Sequence, residues 1–129
     1  MSTDNPVAVV QRMLEAFQDR DRDRLVETVH PDSRWTYVGA NPRPAKGVYV
    51  GRDGVRKFFE NIIRNLTITI FNAREFVTEA NSVVIFGFES GTVNATGNPF
   101  RNEWAQKYVI QNGLITEMEE YNVQVDTTP

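Results

Sequence analysis

Two glutamates stand where apolar residues would be ordinary, and they are the side chains here best suited to moving protons. Glu89 follows Val83-Val84-Ile85-Phe86-Gly87-Phe88, and Glu120 lies among Met118, Tyr121 and Val123. A carboxylate taken out of water loses hydration, so burial favours the protonated form and raises its pKa toward the range useful for proton transfer. Two such carboxyls in one apolar cavity titrate as a coupled pair, and together they can act as general acid and general base. On patterning alone, each glutamate fits a solvated or interface face equally well.

Strand side chains alternate between faces, so a Glu89 that faces a cavity brings Ile85, Gly87 and Gly91 with it. The matching face of the next strand carries Asn102, Trp104, Gln106 and Tyr108, and that of the last carries Met118, Glu120 and Asn122. Trp35 and Tyr37 from an earlier strand, with Phe59 or Ile62 from a helix, complete apolar walls around a few polar groups. That is the composition of a small-molecule site. The expected catalytic residues are Glu120, Glu89 and Tyr37. The expected ligand-binding residues are Trp35, Phe59, Ile62, Ile85, Asn102, Trp104, Gln106, Met118 and Asn122. Tyr37 would hydrogen-bond a substrate oxygen or stabilise charge developing on it, while core packing of Trp35 and Tyr37 is the other reading. Gly87 and Gly91 either leave room for a ligand or mark bulges that bend the sheet.

Other chemistries have little to stand on. His30, the one histidine, adjoins Pro31 at a helix end and is expected to cap rather than catalyse. No His or carboxylate cluster has metal-ligand spacing, so neither a metal nor another cofactor is expected. Gly51-Arg52-Asp53-Gly54 lacks the remaining glycines and the lysine of a phosphate loop. No serine has a recognisable base partner.

The elements that must position these residues follow from periodicity. Asn5 and Pro6 start a helix with Val10, Met13, Leu14 and Phe17 on one face. Asp21 caps a shorter helix with Leu25, Val26 and Val29 on its buried side, stopped by His30-Pro31-Asp32. A strand is expected over Arg34–Val38, then a turn-rich loop from Gly39 to Gly47 carrying Pro42 and Pro44. Gly51-Arg52-Asp53-Gly54 opens a third helix with Val55, Phe58, Phe59, Ile62 and Ile63 as its apolar stripe, which reads as core. Strands then run over Thr67–Val77, Ser82–Asn94, Phe100–Gln111 and Leu114–Val125, with Thr96-Gly97-Asn98-Pro99 and Asn112-Gly113 as turns. Helices first and an antiparallel meander after them indicate α+β, with the helices covering one sheet face.

At 129 residues the chain is expected to be one domain, residues 1–129, large enough to bury a core. A formal charge of -3, with basic residues dispersed among acids, gives no footprint for nucleic acid. No stretch approaches the roughly 20 apolar residues of a membrane span, and Met1 to Pro6 lacks the regions of a signal peptide. With no cysteine to form disulfides, the expected location is cytoplasmic. Asn65-Leu66-Thr67 matches a glycosylation sequon and, without a secretory signal, reads as chance.

Three local signatures, Gly47-Val48-Tyr49-Val50-Gly51, Thr96-Gly97-Asn98-Pro99-Phe100, and Asn112-Gly113-Leu114-Ile115 followed by Glu120-Tyr121-Asn122, join the helix-helix-strand start of the chain. Together they resemble the nuclear transport factor 2-like superfamily over nearly the whole length. The resemblance implies a cone of strongly bent, mainly antiparallel sheet with three N-terminal helices closing over an apolar pocket. The superfamily includes ketosteroid isomerases, polyketide cyclases and limonene epoxide hydrolase. Against the hydrolase pattern, Glu89 and Glu120 fall at its two acidic positions, Trp35 at its tyrosine, Tyr37 at its asparagine and Gly87 at its arginine. The cation between the acids is therefore missing. Val38 and Gly39 stand where ketosteroid isomerase has its aspartate base. Glu120 matches the acid of the polyketide cyclases, with Gln106 beside Trp104 as a polar neighbour, and Val123 stands where some members end the motif in aspartate.

These readings imply a cofactor-independent enzyme that transfers protons on a small, largely apolar oxygenated molecule, by isomerisation, cyclisation or water addition. The rival is a non-catalytic binding module of the same fold, favoured by the glycine at the arginine position. Val84, Phe86 and Phe88, out of phase with Glu89, are too apolar for water. They imply a homodimer through that sheet face, as is common in the resembling superfamily. The expected partners are thus a small molecule and a second copy, with no nucleic acid and no membrane.

Overall fold

The computed structural model describes residues 5–39 and 47–125. Three helices precede most of the strands: α1 (Pro6–Gln18), α2 (Arg22–Glu27) and α3 (Gly51–Asn65). The strands are β1 (Val29–Gly39), β2 (Gly47–Val50), β3 (Leu66–Glu79), β4 (Ser82–Val93), β5 (Pro99–Gln111) and β6 (Leu114–Val125). They form one sheet in the order β2-β1-β6-β5-β4-β3. The β1–β6 pairing is parallel and the others are antiparallel. The sheet is curved and unclosed, the α+β cone implied by the resemblance. The turn-rich segment expected after Gly39 lies, apart from its ends, outside the described residues.

Local chemistry accounts for the helix starts. The Asn5 carboxamide accepts the Val7 N–H at 2.9 Å, and Asp21 accepts the Arg24 N–H at 3.1 Å. The C-terminus of α3 is closed by a residue from outside the helix. Asn94 donates to the Arg64 carbonyl at 2.7 Å while accepting from the Thr67 hydroxyl at 2.6 Å.

Three expectations need correction. Val29 is not on the buried side of α2, because the helix ends at Glu27 and Val29 opens β1, five residues before Arg34. The edge of β6 draws this segment into the sheet: the Ile115 N–H donates to the Thr28 carbonyl at 2.8 Å, and Val29 pairs with Ile115. His30 therefore lies in a strand and caps no helix, its Nδ1 accepting the Asp32 N–H at 2.9 Å. Gly47–Val50, expected only as the entry to α3, is a strand paired with β1 through Trp35–Tyr49. Four residues are too few for periodicity to reveal a strand.

The bend comes from β3. Its register against β4 shifts between Ile68 and Ile70 and between Ala73 and Glu75, opposite Gly91 and Gly87 respectively. A side chain at Gly91 would meet the Thr67 carbonyl, and one at Gly87 would meet the Asn72 carbonyl and, at 2.6 Å, the Trp104 ring. The space above both glycines is thus already taken by backbone and indole. They mark bulges rather than ligand room. At the β5–β6 turn, Asn112 (φ 52) and Gly113 (φ 78) both take positive φ, the conformation that lets a two-residue hairpin follow the sheet twist.

The helices cover the concave face. Val9, Val10, Met13, Leu25, Val55, Phe58 and Phe59 pack there against Trp35, Ile85, Tyr108 and Met118. On the convex face Phe86 pairs with Ala105, Ala105 with Tyr121, and Tyr121 with Val38, so these four form one row. Phe86 is 45% exposed and Tyr121 52%. Phe88 in the next row is partly covered by its own chain. The Arg101 and Arg74 guanidiniums lie 4.1 and 5.0 Å from its ring centre, and Glu103 bridges both arginines. Among the described residues no helix is long and apolar enough to cross a membrane.

Candidate active site

Cross-strand register brings the two glutamates into one concave site. Three successive rows matter: Glu89 with Asn102; Gly87 with Trp104 and Asn122; Ile85 with Gln106, Glu120 and Tyr37. The middle row can hold an indole and an amide because glycines flank it. Gly87 admits the Trp104 ring, and a side chain at Gly39 would come within 2.8 Å of the Asn122 Cβ.

Each carboxyl accepts from amides on neighbouring positions. Asn102 Nδ2 donates to Glu89 Oε2 at 3.0 Å. Gln106 Nε2 donates to Glu120 Oε1 at 2.9 Å, and Asn122 Nδ2 to Glu120 Oε2 at 3.0 Å. The Tyr108 hydroxyl donates to Gln106 Oε1 at 2.7 Å, which fixes that amide so that its N–H side faces Glu120. Asn122, in the row between the acids, also steadies the charged form of Glu89.

Burial dominates the electrostatics. Both glutamates are 6% exposed. Desolvation pushes Glu120 up to about 8, with the charge of Glu89 adding and the Asn122 and Gln106 amides opposing. Glu89 is also raised by burial, against hydrogen bonds from Asn102 and Asn122. Tyr37 is held neutral by burial and by the two carboxylates, and Tyr108 by burial and by Glu120. Near neutral pH, then, the arrangement favours a proton on Glu120 beside phenols that stay hydroxyl donors.

The cavity is about 30 Å³ as it stands, room for water rather than for a substrate. Of the residues expected to form the site, Trp35, Tyr37, Phe59, Ile62, Glu89, Gln106, Met118 and Glu120 line it. Asn102 and Asn122 stand behind the carboxyls, Trp104 stacks on Phe71 with ring centres 5.1 Å apart, and Ile85 is fully buried in the core. Met13, Leu14, Phe17, Leu25, Phe58, Phe71 and Tyr108 complete the lining. Most of these had a signal in the helical apolar stripes, but a stripe does not say which of its members face a void. Trp35 lines the cavity, and its buried indole N–H has no hydrogen-bond partner among the described residues. No group of three His, Asp or Glu side chains among the described residues could hold a metal ion.

The partition between cavity and solvent is aromatic. Phe17, Ile62 and Phe71 line both the cavity and an outer groove. The Phe17 ring lies 5.4 Å from Phe71 and 5.9 Å from Phe59, centre to centre.

A SnoaL-like domain model matches residues 10–118, and the chain belongs to this family within the nuclear transport factor 2-like superfamily. An NTF2-like protein from Burkholderia xenovorans superposes with a TM-score of 0.81 at 22% identity, over 91% of this chain and 88% of its own. TerC, crystallised with polyporic acid, gives 0.75 at 21% identity, over 90% and 89%. A protein of ketosteroid isomerase-like fold from Catenulispora acidiphila, in complex with trimethylamine, gives 0.74 at 13% identity, over 88% and 83%. At these identities the likeness establishes the fold. No curated protein matches the chain.

Proposed function

We propose that this SnoaL-like domain is an enzyme that moves a proton on a small, mostly apolar oxygenated molecule, with Glu120 and Glu89 as its acid/base pair. One observation carries the reading: two glutamates buried in a single apolar cavity, each held by amides, with Glu120 pushed up to about 8. Keeping two carboxyls out of water is costly. Isomerase or cyclase chemistry also accords with the family and its ketosteroid isomerase-like neighbours.

In an isomerisation, Glu89 as carboxylate would take a proton from carbon beside a carbonyl, and protonated Glu120 would return one at another carbon. The Trp35 N–H and the Tyr37 hydroxyl would stabilise the intervening enolate oxygen. The same pair could protonate an oxygen during cyclisation. Water addition to an epoxide is less well served, because the Trp104 ring fills the space beside Gly87, where the hydrolase pattern carries its arginine.

The small cavity favours one alternative, a binding module or closed scaffold without turnover. Proton NMR of carbonyl compounds incubated with the protein in deuterium oxide separates the two. Exchange of hydrogen beside the carbonyl, lost in Glu89→Gln, supports the enzyme. Ligands that perturb tryptophan emission without any exchange support the module.

We also propose that the convex row of Phe86, Ala105, Tyr121 and Val38 is covered by a second copy of the chain, since a self-complementary two-fold contact would remove this apolar surface from water in both copies.

A further inference from the structure

Resting on the reading of the cavity as a substrate site, we propose that the groove beside it is the outer half of that site. Arg20 at its rim would receive the carboxylate of a small acid, whose apolar body reaches inward past Phe17. The groove lies between the end of α1, α3 and the start of β3, and its volume is about 460 Å³. Its walls mix aliphatic side chains, including Ile63, Leu66, Ile68 and Ile70, with polar surface, and Arg20 is the one charged residue among the described residues lining it. Phe17, Ile62 and Phe71 separate it from the carboxyl pair. A molecule spanning both spaces would place an apolar body among the rings, a reactive end near Glu120 and an anionic end outside.

The ion pairs around the α1–α2 turn leave Arg20 as the uncommitted cation. Arg20, Arg22 and Arg24 alternate with Asp19, Asp21 and Asp23, and Glu60 faces them from α3. Arg24 reaches Asp19 at 3.1 Å and Asp21 at 3.8 Å. Arg22 reaches Glu60 at 2.6 Å and Asp23 at 3.6 Å. Each of the four acids thus contacts Arg22 or Arg24, and the Arg20 guanidinium makes no ion pair among the described residues. A carboxylate arriving at the groove meets a guanidinium that makes no ion pair among the described residues and whose planar fork suits it, with the acids of the α1–α2 turn on its other side.

Backbone conformation points the same way. Arg20 follows Asp19, the C-cap of α1, and takes the left-handed region, φ 57. Its N–H donates to the Phe17 carbonyl at 3.1 Å, and the Asp21 N–H to the Ala16 carbonyl at 2.8 Å. This is the helix-closing turn in which glycine is usual, because a Cβ is disfavoured there. The turn also ties the cation to the backbone of Phe17, one of the partition rings.

The test uses the full chain with phenylacetate, phenylpropionate and phenylbutyrate, each paired with its primary amide, followed by tryptophan emission because Trp35 lines the cavity. At low salt the best acid should bind about three- to fivefold more tightly than its amide, the range of an exposed ion pair. The preference should fade as salt rises. Arg20→Gly should erase it while leaving amide affinity unchanged and Tm undiminished, since glycine suits the turn. Arg20→Lys should retain part of it. Equal affinity for acid and amide in the parent, or a preference that survives Arg20→Gly, would overturn the anion subsite and leave the cavity reading intact. A Tm several degrees lower in Arg20→Gly would also overturn it, by giving the guanidinium a structural role. If neither acids nor amides change the emission, the cavity reading fails, and this proposal with it.

Discussion

On the concave face of the sheet, rows of cross-strand partners carry amides and carboxyls shut away from water. On the convex face, the alternate rows leave Phe86, Tyr121 and Val38 in contact with it. Both arrangements reverse the ordinary sorting of side chains. They do so at opposite cost: the inner face spends desolvation on polar groups, and the outer face forgoes hydrophobic burial. On the reading proposed above, the difference assigns the inner rows to chemistry and the outer ones to contact with a second copy. The middle inner row supports this division. Gly87, Trp104, Asn122 and Gly39 fit together with no room to spare, so the amide that serves both glutamates is held by shape as well as by hydrogen bonds.

The largest expected effect of an inner-face change is on turnover. Glu120→Gln should lower proton transfer by roughly two to four orders of magnitude, the usual contribution of a positioned acid or base. The amide replaces a costly buried acid, so the fold should persist, as circular dichroism would report. Turnover equal to the parent's would break the chemical half of the comparison.

Next in size is the middle row. Gly87→Ala should destabilise by about 3 kcal/mol, at the upper end for overpacking, because its Cβ must enter the Trp104 ring and the Asn72 carbonyl. Urea denaturation measures it. A change near zero would mean that the row can shift, and that the amide between the acids is not fixed by packing.

Stability should also follow pH through Glu120. Its folded pKa is raised above the ordinary 4.5, so the native state binds the proton more tightly than the unfolded chain. That contribution is fully present below about 4.5 and is lost as pH rises toward about 8. The slope in this window should reach at most about 1.4 kcal/mol per pH unit from this one group. Glu120→Gln should flatten the dependence, and a slope unchanged in the variant would assign it to other groups.

The smallest effect on folding belongs to the outer face. Phe86→Lys should change monomer stability by no more than about 0.5 kcal/mol, as expected of a surface position. It should nevertheless weaken self-association as measured by sedimentation at micromolar concentration. A parent protein that sediments as a monomer would break the outer half of the comparison.

Much of this was legible in the chain. Apolar periodicity located α1, α3 and the four strands from β3 onward, because amphipathic periods of 3.6 and 2 follow from the geometry of helix and strand. Alternation put Asn102, Trp104, Gln106 and Tyr108 on the face of Glu89 and Glu120, where the structure has them, while the pairing of Asn102 with Glu89 and of Gln106 with Glu120 came from the register. Less was legible at β2 and at Val29–Ser33. There a four-residue strand and a segment interrupted by Pro31 owe their pairing to β1 and β6, which are distant in sequence.

The sequence by itself determined the fold class, the helix caps at Asn5 and Asp21, the tight turn at Asn112-Gly113 and the unusual pair of glutamates, all of which depend on neighbours within a few residues. Tertiary structure alone decided what those residues face. It put Asn122 between the two acids, gave the space above Gly87 and Gly91 to the indole and the β3 bulges, and stood Phe17 and Phe71 between the carboxyls and the outer groove. Those outcomes depend on the curvature of a six-stranded sheet, which sums small twists and two bulges over the whole chain and which no local pattern encodes.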